Sequence, residues 1–285
     1  MAKKLYLALV LIICFSSVFA QRERLDQITD SIKSEGYALY RSEWASWYGT
    51  DIFLYKCAAK KSLSGGYFSY ETERALTNIF FSKGDNPMVL ASITFAKDFN
   101  PGNYKLDTIP RKFDKIEQNY YALRAAARER MSSDTIFKYF NNTNLNIVPL
   151  IEKDIKRVYI LTGPQVNGVV IFGNDYLVDF NDKNEITSIK KLHRNIISMK
   201  AKADTGSAIT TTYHTHLPAS GDFMSATDIC TLLLYQKLTT WKQHYVVSKN
   251  YFSIWDCDKS QFLIMTREAM ERINAGQKEK HPDKQ

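Results

Sequence analysis

Cysteine is scarce in this chain, with four residues in 285, too few for a disulfide scaffold. The sequence has no internal repeat, no Pro/Gly/Ser-rich linker, and none of the bias of collagen-like, low-complexity or wholly disordered chains. It also lacks a phosphate-binding glycine fingerprint, a Gly-x-Ser-x-Gly elbow and a Cys–His nucleophile pattern. Basic residues are only in mild excess, for a formal charge of +8. The one charge run, Lys278–Gln285, reads as a solvated tail, so no nucleic-acid footprint is evident. What is present is 45% hydrophobic residues, including 17 Tyr and 16 Phe. That is material for one large domain or two modest ones, with a core or binding surface rich in rings.

The first twenty residues stand apart. Lys3 and Lys4 precede an apolar run from Leu5 to Phe15, and Val18-Phe19-Ala20 places small residues at −3 and −1 before Gln21. This pattern predicts a secretory signal peptide cleaved after Ala20, hence an exported protein: periplasmic, cell-surface or released. The apolar run is too short to span a bilayer comfortably, and no later segment is apolar enough to do so. A lipoprotein signal ending at Cys14 competes, but Ile13 stands where lipidation sites want a small residue. Cleavage lowers the formal charge to +6 and leaves Cys57, Cys230 and Cys257. With three cysteines, at least one thiol stays unpaired within the chain.

Periodicity predicts an α+β fold with a mixed sheet and flanking helices. Residues 21–35 read as a short charged helix, Asp51–Cys57 as a strand, Tyr70–Ser82 as helical and Met88–Phe95 as a strand. Lys112–Met131 reads as an amphipathic helix, with Ile116, Tyr120, Leu123 and Ala127 on one face. The second half reads as strands at Arg157–Thr162, Gly168–Phe172, Tyr176–Phe180, Glu185–Leu192 and Ser207–Tyr213. A helix over Ser225–Lys242 follows, then strands at His244–Val247, Tyr251–Trp255 and Gln261–Thr266, and a terminal helix over Glu268–Asn274.

One stretch carries chemistry: Tyr213-His214-Thr215-His216, a loop of small and turn residues, then Ser225-Ala226-Thr227-Asp228. In extended spacing, His214 and His216 point to one face. Ser225 is a natural N-cap, and Asp228 falls in the first turn of the following helix. Two imidazoles and a carboxylate are the usual inventory of a catalytic zinc site with one open position. Ser225 and Asp228 also read as a capping box, and the two roles are compatible.

This constellation resembles the JAMM signature of MPN-domain (JAB) zinc metallopeptidases and their RadC-type relatives. The resemblance extends through the apolar helix from Ile229 to Leu238 and the strands after it, over about residues 145–275. It implies an MPN/JAB-like, cytidine-deaminase-like layered second half. It also implies one zinc ion on His214, His216 and Asp228, Ser225 as a helper of the oxyanion, and an upstream Glu as base. Here the loop between His216 and Ser225 is one residue longer than usual, and Leu217 stands where a Pro normally follows the second His. No Glu stands in the comparable segment, where Gln165 falls instead. Asp175, Glu152 and Glu185 are the alternative acids. The implied organisation is a leader at 1–20, an N-terminal α+β region at 21–144, the metal-binding domain at 145–275 and a polar tail at 276–285.

The expected function is therefore that of an exported zinc hydrolase acting on an amide or isopeptide bond in a peptide or protein. The alternative is an impaired binding module of the cell envelope without the glutamate base. A third reading is an envelope interaction protein that uses its aromatic-rich first half. Among the other histidines, His193 is expected at the surface, His244 in the core or behind the ligands, and His281 in the tail. Cys230 is expected to pack rather than bind metal, and Trp44, Trp47, Tyr40 and Tyr48 to form core.

Overall fold

The computed structural model describes the backbone of residues 2–204 and 207–280 and the side chains of 22–204 and 207–276. The side chains of the expected leader, Cys14 among them, and the whole of His281 lie outside the described residues. Helix α1 (Ala2–Lys56) takes in the expected short helix and all but the last residue of the strand expected at Asp51–Cys57. Leu25, Ile28 and Ile32 pack on one core, and Trp44, Ala45 and Phe53 on another. Phe53 stacks on Phe80 with ring centroids 3.8 Å apart, and this tertiary contact overrides the local strand preference of Ile52-Phe53.

Strands β1 (Ser64–Glu71), β2 (Ala75–Ser82), β3 (Val89–Ala96) and β4 (Tyr104–Asp107) form an antiparallel meander in that order. The helix expected over Tyr70–Ser82 is instead the β1–β2 hairpin. Strand β2 is flanked on both sides and is buried from Leu76 to Phe81, so it shows no alternation to mark it as a strand. Trp44 meets Phe95 and Phe99 at 5.1 and 5.4 Å, which makes most of the aromatic cluster part of the core under this sheet. Helix α2 (Lys115–Ser133) begins with a capping box between Asp114 and Glu117. It sets Tyr120 against Phe68 and Ile79 of the first sheet, and Leu123, Ala127 and Met131 against a second.

That second sheet is antiparallel, in the order β5 (Thr143–Glu152), β6 (Ile155–Pro164), β8 (Tyr176–Phe180), β9 (Ile186–Lys191). Between β6 and β8 the chain makes β7 (Val169–Gly173), which pairs with β10 (Ile196–Lys200). The last sheet orders β11 (Thr211–Thr215), β12 (Gln243–Val247), β13 (Tyr251–Asp256) and β14 (Gln261–Thr266). Strands β11 and β12 are parallel, joined by the crossover helix α3 (Ala226–Tyr235). The helix expected to reach Lys242 ends in a 3₁₀ turn at Gln236–Leu238. Beyond it, Thr240 Oγ1 accepts from Ile209 N and donates to Ile209 O, which pulls the chain off the helix and into β12. Helix α4 (Arg267–Lys280) follows β14.

The architecture is α+β. Its hydrophobic core crosses residue 144: Leu39 of α1 packs with Val148, Tyr159, Ala226 and Cys230. Helix α1 crosses α3 at Gly36, where a Cβ would lie 2.7 Å from Ile229 Cβ. Gly36→Ala should overpack this crossing and cost about 1–3 kcal/mol, read as a lower denaturant midpoint with an unchanged slope. Cys57, Cys230 and Cys257 are all buried and free, so the described residues contain no disulfide. No helix among the described residues is long and apolar enough to cross a membrane.

Candidate metal centre

Strand β11 alternates: Tyr213 and Thr215 are exposed, while His214 and His216 are buried on the other face. His216 lies just past the strand end but stays in line with it, because its N–H donates to Val247 O at 2.9 Å. The start of α3 supplies the carboxylate. Ser225 caps the helix by accepting from Asp228 N at 3.1 Å, while Asp228 Oδ2 accepts from Ser225 N and Ser225 Oγ, both at 2.8 Å. The capping box thus fixes one carboxylate oxygen and leaves Oδ1 to face the histidines.

A third imidazole joins them. Single ligand atoms of His193, His214, His216 and Asp228 all lie within 4.8 Å of one another, and all four residues are buried. His214 Nε2 is 3.2 Å from His216 Nε2 and 3.7 Å from Asp228 Oδ1. His193 Nε2 is 3.5 Å from Asp228 Oδ1, and His216 Nε2 is 3.5 Å from Asp228 Oδ2. Ligands about 2.0–2.1 Å from one ion in tetrahedral array stand roughly 3.3 Å apart, so the spacing suits a metal ion. Asp228 Oδ1 is buried without a hydrogen-bond partner. Such an orphaned acceptor is costly unless something pairs with it, and a cation among the three imidazoles would. The group can hold a metal ion.

The surroundings orient the rings. His214 Nδ1 lies 3.0 Å from His244 Nε2, and His244 Nδ1 lies 2.7 Å from Thr212 Oγ1. With protons on both Nδ1 atoms, the chain runs from His214 to His244 to Thr212 and leaves the His214 Nε2 lone pair free. Phe172 stacks on His244 with centroids 4.6 Å apart. Burial pushes His214 down to about 4 and His244 down to about 3, so both are neutral imidazoles near pH 7. Burial also opposes charge on His193, but the carboxylates of Asp228 and Asp175 outweigh it and raise this group to about 10. His193, His214 and His216 overcome the effect of burial on Asp228 and hold its carboxyl well below the usual range.

Asp175 is placed by an anchored turn. Gly173 and Asn174 both take left-handed φ, 84° and 57°. The buried Asn174 amide donates to Lys138 O and Thr162 Oγ1, and its oxygen accepts from Tyr176 Oη. Asp175 Oδ1 then accepts from Thr162 N at 2.9 Å, and Oδ2 faces His193 Nδ1 at 3.5 Å. That separation is long for a hydrogen bond, so the attraction is chiefly ionic.

The structure therefore brings together His214, His216, Asp228 and Ser225, with Asp175 behind a histidine that the sequence placed at the surface. His193 is 6% exposed. The segment after β9 folds inward because β10 returns antiparallel along β7, a pairing that periodicity did not reveal. The other acids and the amide lie elsewhere. Gln165 is exposed and bonded to Asn144, beyond the Val169 end of β7, whereas the metal group lies at the Gly173 end. Five strand residues put those ends roughly 15 Å apart. Glu152 and Glu185 are exposed and outside the group. Cys230 points into the core with Leu39 and Val148. A cavity of about 360 Å³, lined by Phe172, Arg194, Asn195 and Leu217 among others, opens onto His193, His214 and His216. No family model, curated protein or solved structure matches the chain.

Proposed function

We propose that this chain is an exported zinc-dependent hydrolase of the JAMM type, acting on an amide or isopeptide bond of a peptide or protein bound in the 360 Å³ cavity. The observation that carries the reading is Asp228 Oδ1, buried, without a hydrogen-bond partner and set among three imidazoles beside that cavity. His214, His216 and Asp228 hold the ion. When bound, zinc supplies Lewis acidity, polarising a substrate carbonyl and making water a better nucleophile near neutral pH. The donor set, imidazole with carboxylate, is one that zinc accepts. Export rests on the leader pattern at residues 1–20.

No glutamate reaches the site, so the proton is handled by His193. Its Nε2 faces the ligand group, and Asp175 steadies Nδ1 from behind. Charged while Asp228 has no cation beside it, His193 would give its proton as a general acid; a cation that neutralises Asp228 would weaken its hold on that proton and let it also act as a base, kept in one orientation by Asp175. Ser225 Oγ donates to Asp228 Oδ2 at 2.8 Å and lies 3.0 Å from Thr227 Oγ1 and 3.5 Å from His193 Nε2, and so positions Asp228.

A second reading has its own observation. The His193 ligand atom lies within the same 4.8 Å group as the other three, so it can serve as a fourth protein ligand. Four protein ligands close a site, as in structural zinc centres, and the chain would then be a binding module. Zinc content and hydrolysis of peptide and isopeptide substrates by His193→Gln separate the two readings. The hydrolase reading expects one zinc per chain in the wild type and in the variant, with activity lowered by about 10²–10⁴-fold. Loss of zinc from the variant, with no hydrolysis by the wild type, would establish the closed site.

A further inference from the structure

A second cavity, of about 410 Å³, lies between α1, β5, β6 and α3. Its volume falls in the range of small-molecule sites, and the metal ligands do not line it. Its walls carry two carboxylates, Glu43 and Asp51. Among the described residues no Lys, Arg or His lines it.

Glu43 is the unusual group. It sits in the middle of α1 and is 4% exposed. Its one side-chain partner is the Asn146 amide, which donates to Oε2 at 3.2 Å. A carboxylate has about four acceptor positions, so a single long bond leaves most of that capacity turned toward the cavity. Burying a carboxylate without a cation is expensive, and burial pushes Glu43 up to about 7. Elsewhere the fold does pair its less exposed acids: Glu117 meets Arg111, and Glu35 meets Arg157. The rest of the cavity complements a cation as well. Trp47 and Tyr235 meet edge to face at 5.3 Å on its wall, and Tyr67 adds a third ring. Aromatic faces attract ammonium groups, while the two carboxylates repel anions.

We propose that this cavity is a binding site for a small organic cation, with its ammonium group on Glu43 and its apolar body against Trp47, Tyr67 and Tyr235. The site is independent of the metal centre and of the hydrolase reading.

The test is calorimetric titration of the full chain at pH 8 with n-butylammonium, using 1-butanol as the neutral isostere. N-acetyl-lysine methylamide, tested alongside, distinguishes a peptide lysine from a free amine as the source of the cation. The ammonium should bind at least ~10-fold more tightly than the alcohol, and Glu43→Gln should abolish that preference, as expected for a desolvated charge-assisted contact. The substitution is isosteric and removes a buried charge. The wild-type preference of ammonium over alcohol gives a second readout that does not depend on the variant folding. Equal binding of the two probes, no binding of either, or an undiminished ammonium preference in Glu43→Gln would overturn the proposal. Tight binding of the lysine derivative identifies a peptide side chain as the occupant, and binding of butylammonium alone identifies a free amine; both support it.

Discussion

Gly173→Ala should be among the most damaging single substitutions in this chain and should weaken metal binding at the candidate centre without touching a candidate ligand. Gly173 has φ 84°, where a Cβ is strained. A Cβ there would also overlap the backbone carbonyl oxygen of Asn195, which cannot move as a side-chain end would. That carbonyl accepts from Asn174 N at 3.1 Å, and it lies two residues after His193. Relieving the clash must push β10 away from β7, and the displacement passes to His193 on one side and Asp175 on the other. Strain and overpacking together should cost about 3 kcal/mol or more, and metal affinity should fall by at least ~10-fold. Gly221 is the internal control. It has φ 86° and lies on the loop between His216 and Ser225, but nothing stands within 4 Å of its would-be Cβ. Gly221→Ala should cost only the backbone strain, about 1–3 kcal/mol at φ 86° and ψ 170°, and should leave zinc affinity unchanged. Denaturation and zinc titration of the two variants side by side check the argument. Equal losses of zinc affinity would show that the close approach of Gly173 to Asn195 is unimportant.

The parts of this fold legible in the sequence are those whose signals are local. Strands β8 and β14 match their expected bounds: turn residues bracket the first, and a turn precedes the second while helix α4 begins at its end. The convergence of His214, His216 and Asp228 is legible because a two-residue strand spacing and a helix cap each fix a direction without help from the rest of the chain. The errors arise where tertiary packing decides. Phe53 is helical because Phe80 stacks on it, and β2 hides its strand period by being buried on both faces. His193 was misplaced for the same reason. His193 follows a strand that ends in Lys190-Lys191, which points to the surface, and only the β7–β10 pairing, over twenty residues of intervening chain, turns it inward. Gln165 was drawn to the site by its place before an apolar strand. The strand is there, but the site lies at its other end.

Replacing one atom of Asp228 should separate its two duties. The residue caps α3 through Oδ2 and faces the imidazoles through Oδ1. In Asp228→Asn the amide oxygen can still accept from Ser225 N and Ser225 Oγ, so the helix start survives. The amide nitrogen then occupies the Oδ1 position. It carries no charge and presents hydrogens where a lone pair is needed. Zinc affinity should therefore fall by ~100-fold or more, beyond the 10–100-fold typical of losing a group that merely orients a ligand. The metal-free protein should also lose stability near pH 7. Asp228 is the larger of the two carboxylate influences that keep the buried His193 charged, and removing one partner of a buried pair costs about 3–5 kcal/mol when the other stays charged. Ser225→Ala gives the contrast. It removes the cap hydroxyl, at about 1 kcal/mol, while Asp228 keeps both its charge and the Ser225 N–H. Zinc titration and urea unfolding of both variants read the two effects. If Asp228→Asn retains zinc as tightly as Ser225→Ala, Asp228 is a helix cap and no more, and the three histidines must hold any metal without it.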